Sequence, residues 1–213
     1  MCFSTESSLT AYIIGSIASL YLLINGDKYD KHIGLFSLIF VQIQLAEFFM
    51  WLDQKCNKNI NHYASIFSEI VLYLQPISVI VGAILFKTTY IPEYLLYLFL
   101  LFYIIYVGRN YYIYFNNQKL CSKSDNNTKH LQWEFITEYT LLGDIMYSIF
   151  ISLLWLFSKN KKGIFVFIFG AITLLFGVTK NLKFDFAQWE SKWCFYSVLL
   201  PGLIIIYNLI YKK

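Results

Sequence analysis

The sequence predicts an all-α, polytopic membrane protein with seven transmembrane helices, its N-terminus outside and its C-terminus cytoplasmic. Three observations carry that reading. Of 213 residues, 58% are hydrophobic and 14% charged, against about a half and a quarter in soluble domains. Mean hydropathy is +0.53. The apolar residues also fall in blocks of roughly 17 to 25, the length that crosses a bilayer as a helix. A soluble fold of this size has more surface than 17 basic and 13 acidic side chains can keep wet. Alternating ten-residue segments, the mark of a membrane β-barrel, do not occur.

The spans read as 8–24, 33–53, 65–86, 91–108, 139–158, 163–179 and 191–210, in one domain covering 1–213. The first has Glu6 where the basic start of a cleavable signal would stand, so it is expected to persist as a span. Its Gly15, Ser16 and Ser19, like Gly163, Gly170, Thr173 and Gly177 in the sixth, form small-residue stripes that let helices approach. The second carries a polar stripe of Gln44, Glu47, Trp51 and Gln54. The third carries Ser65, Glu69, Tyr73 and Pro76, with Gln75 beside them. Tyr94, Tyr97, Tyr111, Tyr112 and Tyr114 bracket the fourth at the interfaces. A polar connection, 109–138, follows. Its second half, from His130, is expected to be helical and to run into the fifth span. That span aligns Thr140, Asp144, Tyr147 and Ser148, and the seventh aligns Cys194, Ser197, Pro201 and Asn208. Trp133, Trp189 and Trp193 are assigned to the outer aromatic belt.

Orientation follows from lysine density. Nine Lys and Arg fall on the side of the N-terminus and eight on the other. The eight lie in about twenty residues and the nine in about sixty, and the positive-inside rule weights short loops. Cys2, Cys56, Cys121 and Cys194 all fall at or near the outer side, where disulfides persist. Three pairings are open. Cys56 with Cys121 would tie two loops, and Cys2 with Cys194 would tie the first span to the seventh in a closed ring. Asn126-Asn127-Thr128 is an N-glycosylation sequon in the long outer loop.

Ionisable residues within spans are costly and mark function by default. Glu47, Glu69 and Asp144, with Glu190 at the mouth of span seven, all sit toward the outer half. Glu69 is placed one turn into its span. No acidic or basic residue appears in the inner halves of the spans, which counts against an open pore. Polar faces on four spans turn inward because lipid cannot satisfy them. The expected result is an outward-facing cavity lined by Glu47, Glu69, Asp144, Gln44, Gln75, Tyr73 and Glu190. Pro76 and Pro201 are expected to free carbonyls one turn earlier. Such an oxygen set suits Na⁺, Ca²⁺ or H⁺, so a bound monovalent or divalent cation is expected and no organic cofactor. The alternative is that these acids only hold the bundle together.

His32, His62 and His130 are read as lying in or near loops, which rules out a three-histidine zinc hydrolase. HExxH, the Walker A loop, GxSxG and CxxC are absent, and no nucleophile–base pair supports an enzyme. No lysine sits mid-span in the seventh helix, as a retinal protein needs, and the receptor signatures DRY and NPxxY are missing. Nothing supports nucleic-acid binding. The expected partners are the lipid bilayer and inorganic cations.

The chain opens Met1-Cys2-Phe3-Ser4 with Ser7 and Ser8 following. It places Glu47 four residues before Trp51 and reads Ser191-Lys192-Trp193-Cys194 near its last span. On these three patches and the span layout it resembles an uncharacterised family of small seven-helix membrane proteins from microbes and large DNA viruses. The resemblance implies no activity. It implies that Cys2, Glu47, Trp51, Trp193 and Cys194 belong to one outer-face feature. Two functions stay open: a cation channel or transporter, and a non-transporting receptor-like or assembly protein. Either is an integral protein of a plasma, internal or viral membrane.

Overall fold

The structure is a computed structural model that describes residues 4–114, 120–124, 131–133, 141–179, 195 and 197–211. The side chains of 110–114, 141–146, 148, 153 and 174–179 lie outside that description. Seven helices occur among the described residues: α1 (Thr5–Asn25), α2 (Lys28–Leu52), α3 (Ile60–Phe86), α4 (Glu93–Tyr114), α5 (Leu141–Leu156), α6 (Lys161–Thr179) and α7 (Leu200–Tyr211). Between α4 and α5 lies a hairpin of β1 (Lys123–Ser124) and β2 (Leu131–Gln132), antiparallel, with Lys123 opposite Gln132. Three helices, α1, α2 and α3, are long and apolar enough to cross a membrane, and α7 is a shorter apolar helix. This is compatible with a membrane-embedded protein.

Helix starts depart from the hydropathy blocks where caps decide them. The Asp27 carboxylate accepts from the N–H groups of Tyr29 and Asp30 at 2.9 Å, and Asp30 reaches back to the Asp27 N–H at 3.1 Å. This capping box starts α2 at Lys28 rather than 33, and so places Asp30 and His32 on the helix. α3 begins at Ile60, after Asn59 in the left-handed region (φ 60°), one of the few residue types at ease there. α7 begins only at Leu200. Pro201 therefore stands in its first turn, where the missing N–H costs nothing. Phe195 and Ser197 just upstream are helical as well, with a turn at 198–199 before α7.

Leu131 and Trp133 are fully buried while Gln132 between them is half-buried. That alternation is a strand's, so this stretch pairs in a hairpin and is not the expected helix. Trp133 is accordingly a core residue and not an interfacial one. Trp189 and Trp193 lie outside the described residues. Tyr94 and Tyr97 are exposed, as an interfacial role requires.

The helices pack in sequence. α1 lies along α2, and Gly34 brings α2 so close that a Cβ there would stand 2.8 Å from the Ser19 carbonyl oxygen of α1. The Gly15 position is tight against Val41 and Val198 side chains, which fits the small-residue stripe of the first helix. α3 packs on α4 and α5, α5 on α6, α6 on α7, and α7 returns to α1 and α2. The first and last helices are thus neighbours. The turn after α3 pairs with the turn after α5: Tyr90 N–H donates to the Phe157 carbonyl (2.9 Å) and Lys159 N–H to that of Thr88 (2.8 Å). These turns, the α1–α2 turn and the end of α7 share one end of the bundle. The α2–α3 turn and the β-hairpin share the other.

Candidate functional site

Two contacts set the register of α2 against α3. Asn61 Nδ2 donates to the Met50 carbonyl at 3.1 Å, and His32 Nε2 lies 2.9 Å from the Val79 carbonyl. The helices therefore run antiparallel, and both contacts place Gln44 level with residue 67. One buried face of α3 carries Asn61, Ser65, Ser68, Leu72, Gln75 and Val79, spaced by three and four. One buried face of α2 carries Ile33, Ser37, Phe40, Gln44 and Glu47. Level pairing gives a ladder along the seam. Glu47 meets the level of Ser65, Gln44 that of Ser68, Phe40 that of Leu72, and Ser37 that of Gln75.

Gln44 and Glu47 are fully buried, and Gln44 Nε2 donates to Glu47 Oε2 at 2.9 Å. The Tyr147 hydroxyl of α5 donates to Gln75 Oε1. Ser37 Oγ, Ser68 Oγ and Gln75 Nε2 are buried and have no hydrogen-bond partner among the described residues. A buried polar atom in that state costs about 1–3 kcal/mol and commonly marks a site that takes a water or an ion.

Glu69 and Tyr73 are also buried. They lie on α3 about 40° and 80° around from Ser65, on a flank where Tyr73 neighbours the buried Tyr103 of α4. Because α3 starts at Ile60, Glu69 stands nine residues in, roughly 13 Å along the axis, and not one turn as expected. Its level matches residue 42, roughly 7 Å along the axis from Glu47. Asp144 lies on α5 one turn before Tyr147, with its side chain outside the described ones. Glu190, Cys2, Cys194 and Asn126 lie outside the described residues. Among the described residues no group of three His, Cys, Asp or Glu is placed to hold a metal ion.

The hairpin closes this end of the seam. Cys56 and Cys121 pair at disulfide distance, Cα atoms 5.8 Å apart. Asn61, fully buried, clasps the loop: its Nδ2 donates to the Ser122 carbonyl at 2.7 Å, and its Oδ1 accepts from the Ser122 N–H at 2.8 Å. Ser65 and Ser122 hydroxyls lie 2.9 Å apart. Gln54 Oε1 accepts from the Ser124 N–H at 2.7 Å, so it serves the loop and not the stripe it was read into. The Leu120 N–H donates to His62 Nδ1 at 3.1 Å. Leu120, Leu131 and Trp133 drop into the core.

The opposite end holds what the sequence did not disclose. Asp30 is fully buried, with Lys162 Nζ at 2.6 Å and Asn208 Nδ2 at 3.0 Å. Lys162 also meets Asp27 at 2.9 Å. Burial raises the Asp27 carboxyl, but the bond from Lys162, the Asp30 and Tyr29 N–H groups and the ammonium charge outweigh it and leave it below the usual range. Burial lowers the Lys162 ammonium; its bonds to Asp30 and Asp27 outweigh this and leave it raised. His32, read as a loop residue, is 3% exposed. Its Nδ1 lies 2.7 Å from Thr88 Oγ1 and its ring stacks on Trp155 at 4.4 Å. The Asp27-x-x-Asp30 cap was the available signal for both residues, since it moves the helix start upstream of them.

No protein-family model matches the chain, nor does any curated protein or solved structure.

Proposed function

We propose that the chain is a seven-span membrane protein, N-terminus outside and C-terminus cytoplasmic, that binds a small cation in the α2–α3 seam and carries it across. The cation enters from the hairpin end. One observation carries the reading: Ser68 Oγ and Gln75 Nε2 are fully buried, without partners among the described residues, on the α3 face that meets Gln44 and Glu47. A carboxylate supplies the charge, and the Ser68 hydroxyl can accept from the water that a hard cation brings with it. Seven helices and the shared ends of their turns support the span count. The Cys56–Cys121 pair supports an oxidising outer side for the hairpin.

The test is flux. Protein in liposomes is given Na⁺, K⁺, Ca²⁺ and H⁺ gradients in turn, for the parent and for Glu47→Gln. Dissipation of one gradient by the parent, and its loss in Glu47→Gln that still melts cooperatively, is the expected result. Equal flux in both overturns the proposal. A second reading, a non-transporting receptor-like or assembly protein, is favoured by the apolar rung of Phe40 and Leu72, which interrupts the ladder. No flux of any cation selects it.

A further inference from the structure

We propose that the cation is the proton, and that His32 is the group that takes it up at the lysine-dense end. This rests on the cation reading above and names its ion and its second site. Val79 O can only accept a hydrogen bond, so His32 Nε2, 2.9 Å away, carries the hydrogen. Nδ1 is then the basic nitrogen, and it accepts from the Thr88 hydroxyl at 2.7 Å. When Nδ1 takes a proton, the new N–H donates to the same hydroxyl, which turns its own hydrogen elsewhere. One hydroxyl rotation serves both states, and the ring need not move.

Thr88 is the way in. It lies in the turn after α3, where its carbonyl accepts from the Lys159 N–H at 2.8 Å. Thr88 itself is buried, and exposed Lys87 is its immediate neighbour in the chain. Among the described residues, the groups against the imidazole are the Val79 carbonyl and Gly82 of α3, the Thr88 hydroxyl, and the Trp155 indole of α5. None is charged. Asp30, two residues earlier on α2, is engaged by Lys162 and Asn208.

The ladder suits a proton better than a metal cation. Below the Phe40–Leu72 rung the polar groups include donors: Gln75 Nε2 and His32 Nε2–H. Donors repel a metal ion but can hand on a proton through water. The two titratable stations, Glu47 above the rung and His32 below it, are each buried. Each has its own end of the molecule. The apolar Phe40–Leu72 rung lies between them, and His32 sits at the level of Val79.

The experiment loads liposomes with a pH-sensitive dye and drives H⁺ entry with a potassium diffusion potential, with ²²Na⁺, ⁸⁶Rb⁺ and ⁴⁵Ca²⁺ uptake measured in parallel. The parent, His32→Gln and Thr88→Val are compared, with melting in detergent as the folding control. The expected result is H⁺ entry without metal-ion uptake in the parent, lost in His32→Gln and lost in Thr88→Val. Metal-ion flux without H⁺ flux overturns this inference and leaves the cation reading standing. No flux of any ion overturns both. If His32→Gln does not fold, Thr88→Val decides, because it keeps the ring and its Val79 bond; undiminished H⁺ entry in that variant overturns the inference.

Discussion

Lys162 Nζ lies 2.6 Å from Asp30 Oδ1 and 2.9 Å from Asp27 Oδ2, so one ammonium joins the start of α6 to the start of α2. Asn208 of α7 adds its amide to the same carboxylate at 3.0 Å. Three helices that are distant in sequence thus converge on Asp30, which has no exposed surface.

Lys162→Met leaves Asp30 buried beside an apolar group. Breaking one side of a buried ion pair costs about 3–5 kcal/mol. The melting temperature in detergent is expected to fall accordingly. Adding Asp30→Asn removes the orphaned charge and keeps an oxygen for Asn208, so the double variant is expected to melt above the single one. A double variant at or below the single one would show that charge is not the cause.

The same cluster sets a pH window. Asp27 is held below its ordinary 3.8. Its contribution is therefore complete above that value and is lost as pH falls through the lowered folded value. Lys162 is held above its ordinary 10.5, so its contribution is complete below that value and is lost as pH rises through the raised one. A plateau of thermal stability between about pH 5 and 10 is expected from this cluster. Lys162→Met should flatten the fall at both edges in melts taken across pH.

Removing the Cys56–Cys121 link frees a loop of 65 residues' separation. Such a closure is worth about 4 kcal/mol on chain-entropy grounds. Cys56→Ser, Cys121→Ser and the double variant are expected to melt alike and below the parent, and reductant should lower only the parent. Non-reducing gels should show a mobility shift in the parent alone. Different losses for the two single variants would argue against the pairing.

Asn61→Ala removes the clasp that satisfies both the N–H and the carbonyl of Ser122, a buried residue. The Ser122 carbonyl keeps Gln54 Nε2 at 3.4 Å, while a buried group that loses its hydrogen bond costs about 1–3 kcal/mol. A loss of about 1–3 kcal/mol is expected, together with faster proteolysis at the hairpin. Unchanged proteolysis would mean that the disulfide alone holds the loop.

Helices were legible because lipid-length apolar blocks are a coarse signal, and α1 and α3 end within a residue of where those blocks end. Their starts were not, because caps and polar first turns fall below a hydropathy threshold. That is why hydropathy alone puts His32 in or near a loop and Glu69 too near its helix start, and why it does not mark Asp30. Of the predicted site, Gln44, Glu47, Glu69, Tyr73 and Gln75 are all buried on α2 and α3, as their helical spacing required. Asn61 and Ser122 could not be found this way. Their pairing crosses 61 positions of chain, and nothing local to either residue marks it. Trp133 misled for a similar reason: tryptophan near an apolar block reads as interfacial, and only the strand alternation around it sends it inward.

The order of synthesis gives the hairpin one more consequence. α1, α2 and α3 meet through short turns and can assemble as they emerge, since local contacts form early. Cys121 leaves the ribosome 65 residues after Cys56, with all of α3 and α4 between. The seam around Gln44 and Glu47 therefore exists before its cover does. Leu120, Leu131 and Trp133, which fill the core under the hairpin, and the Asn61–Ser122 clasp can close over that pair only after the chain past Cys121 has followed.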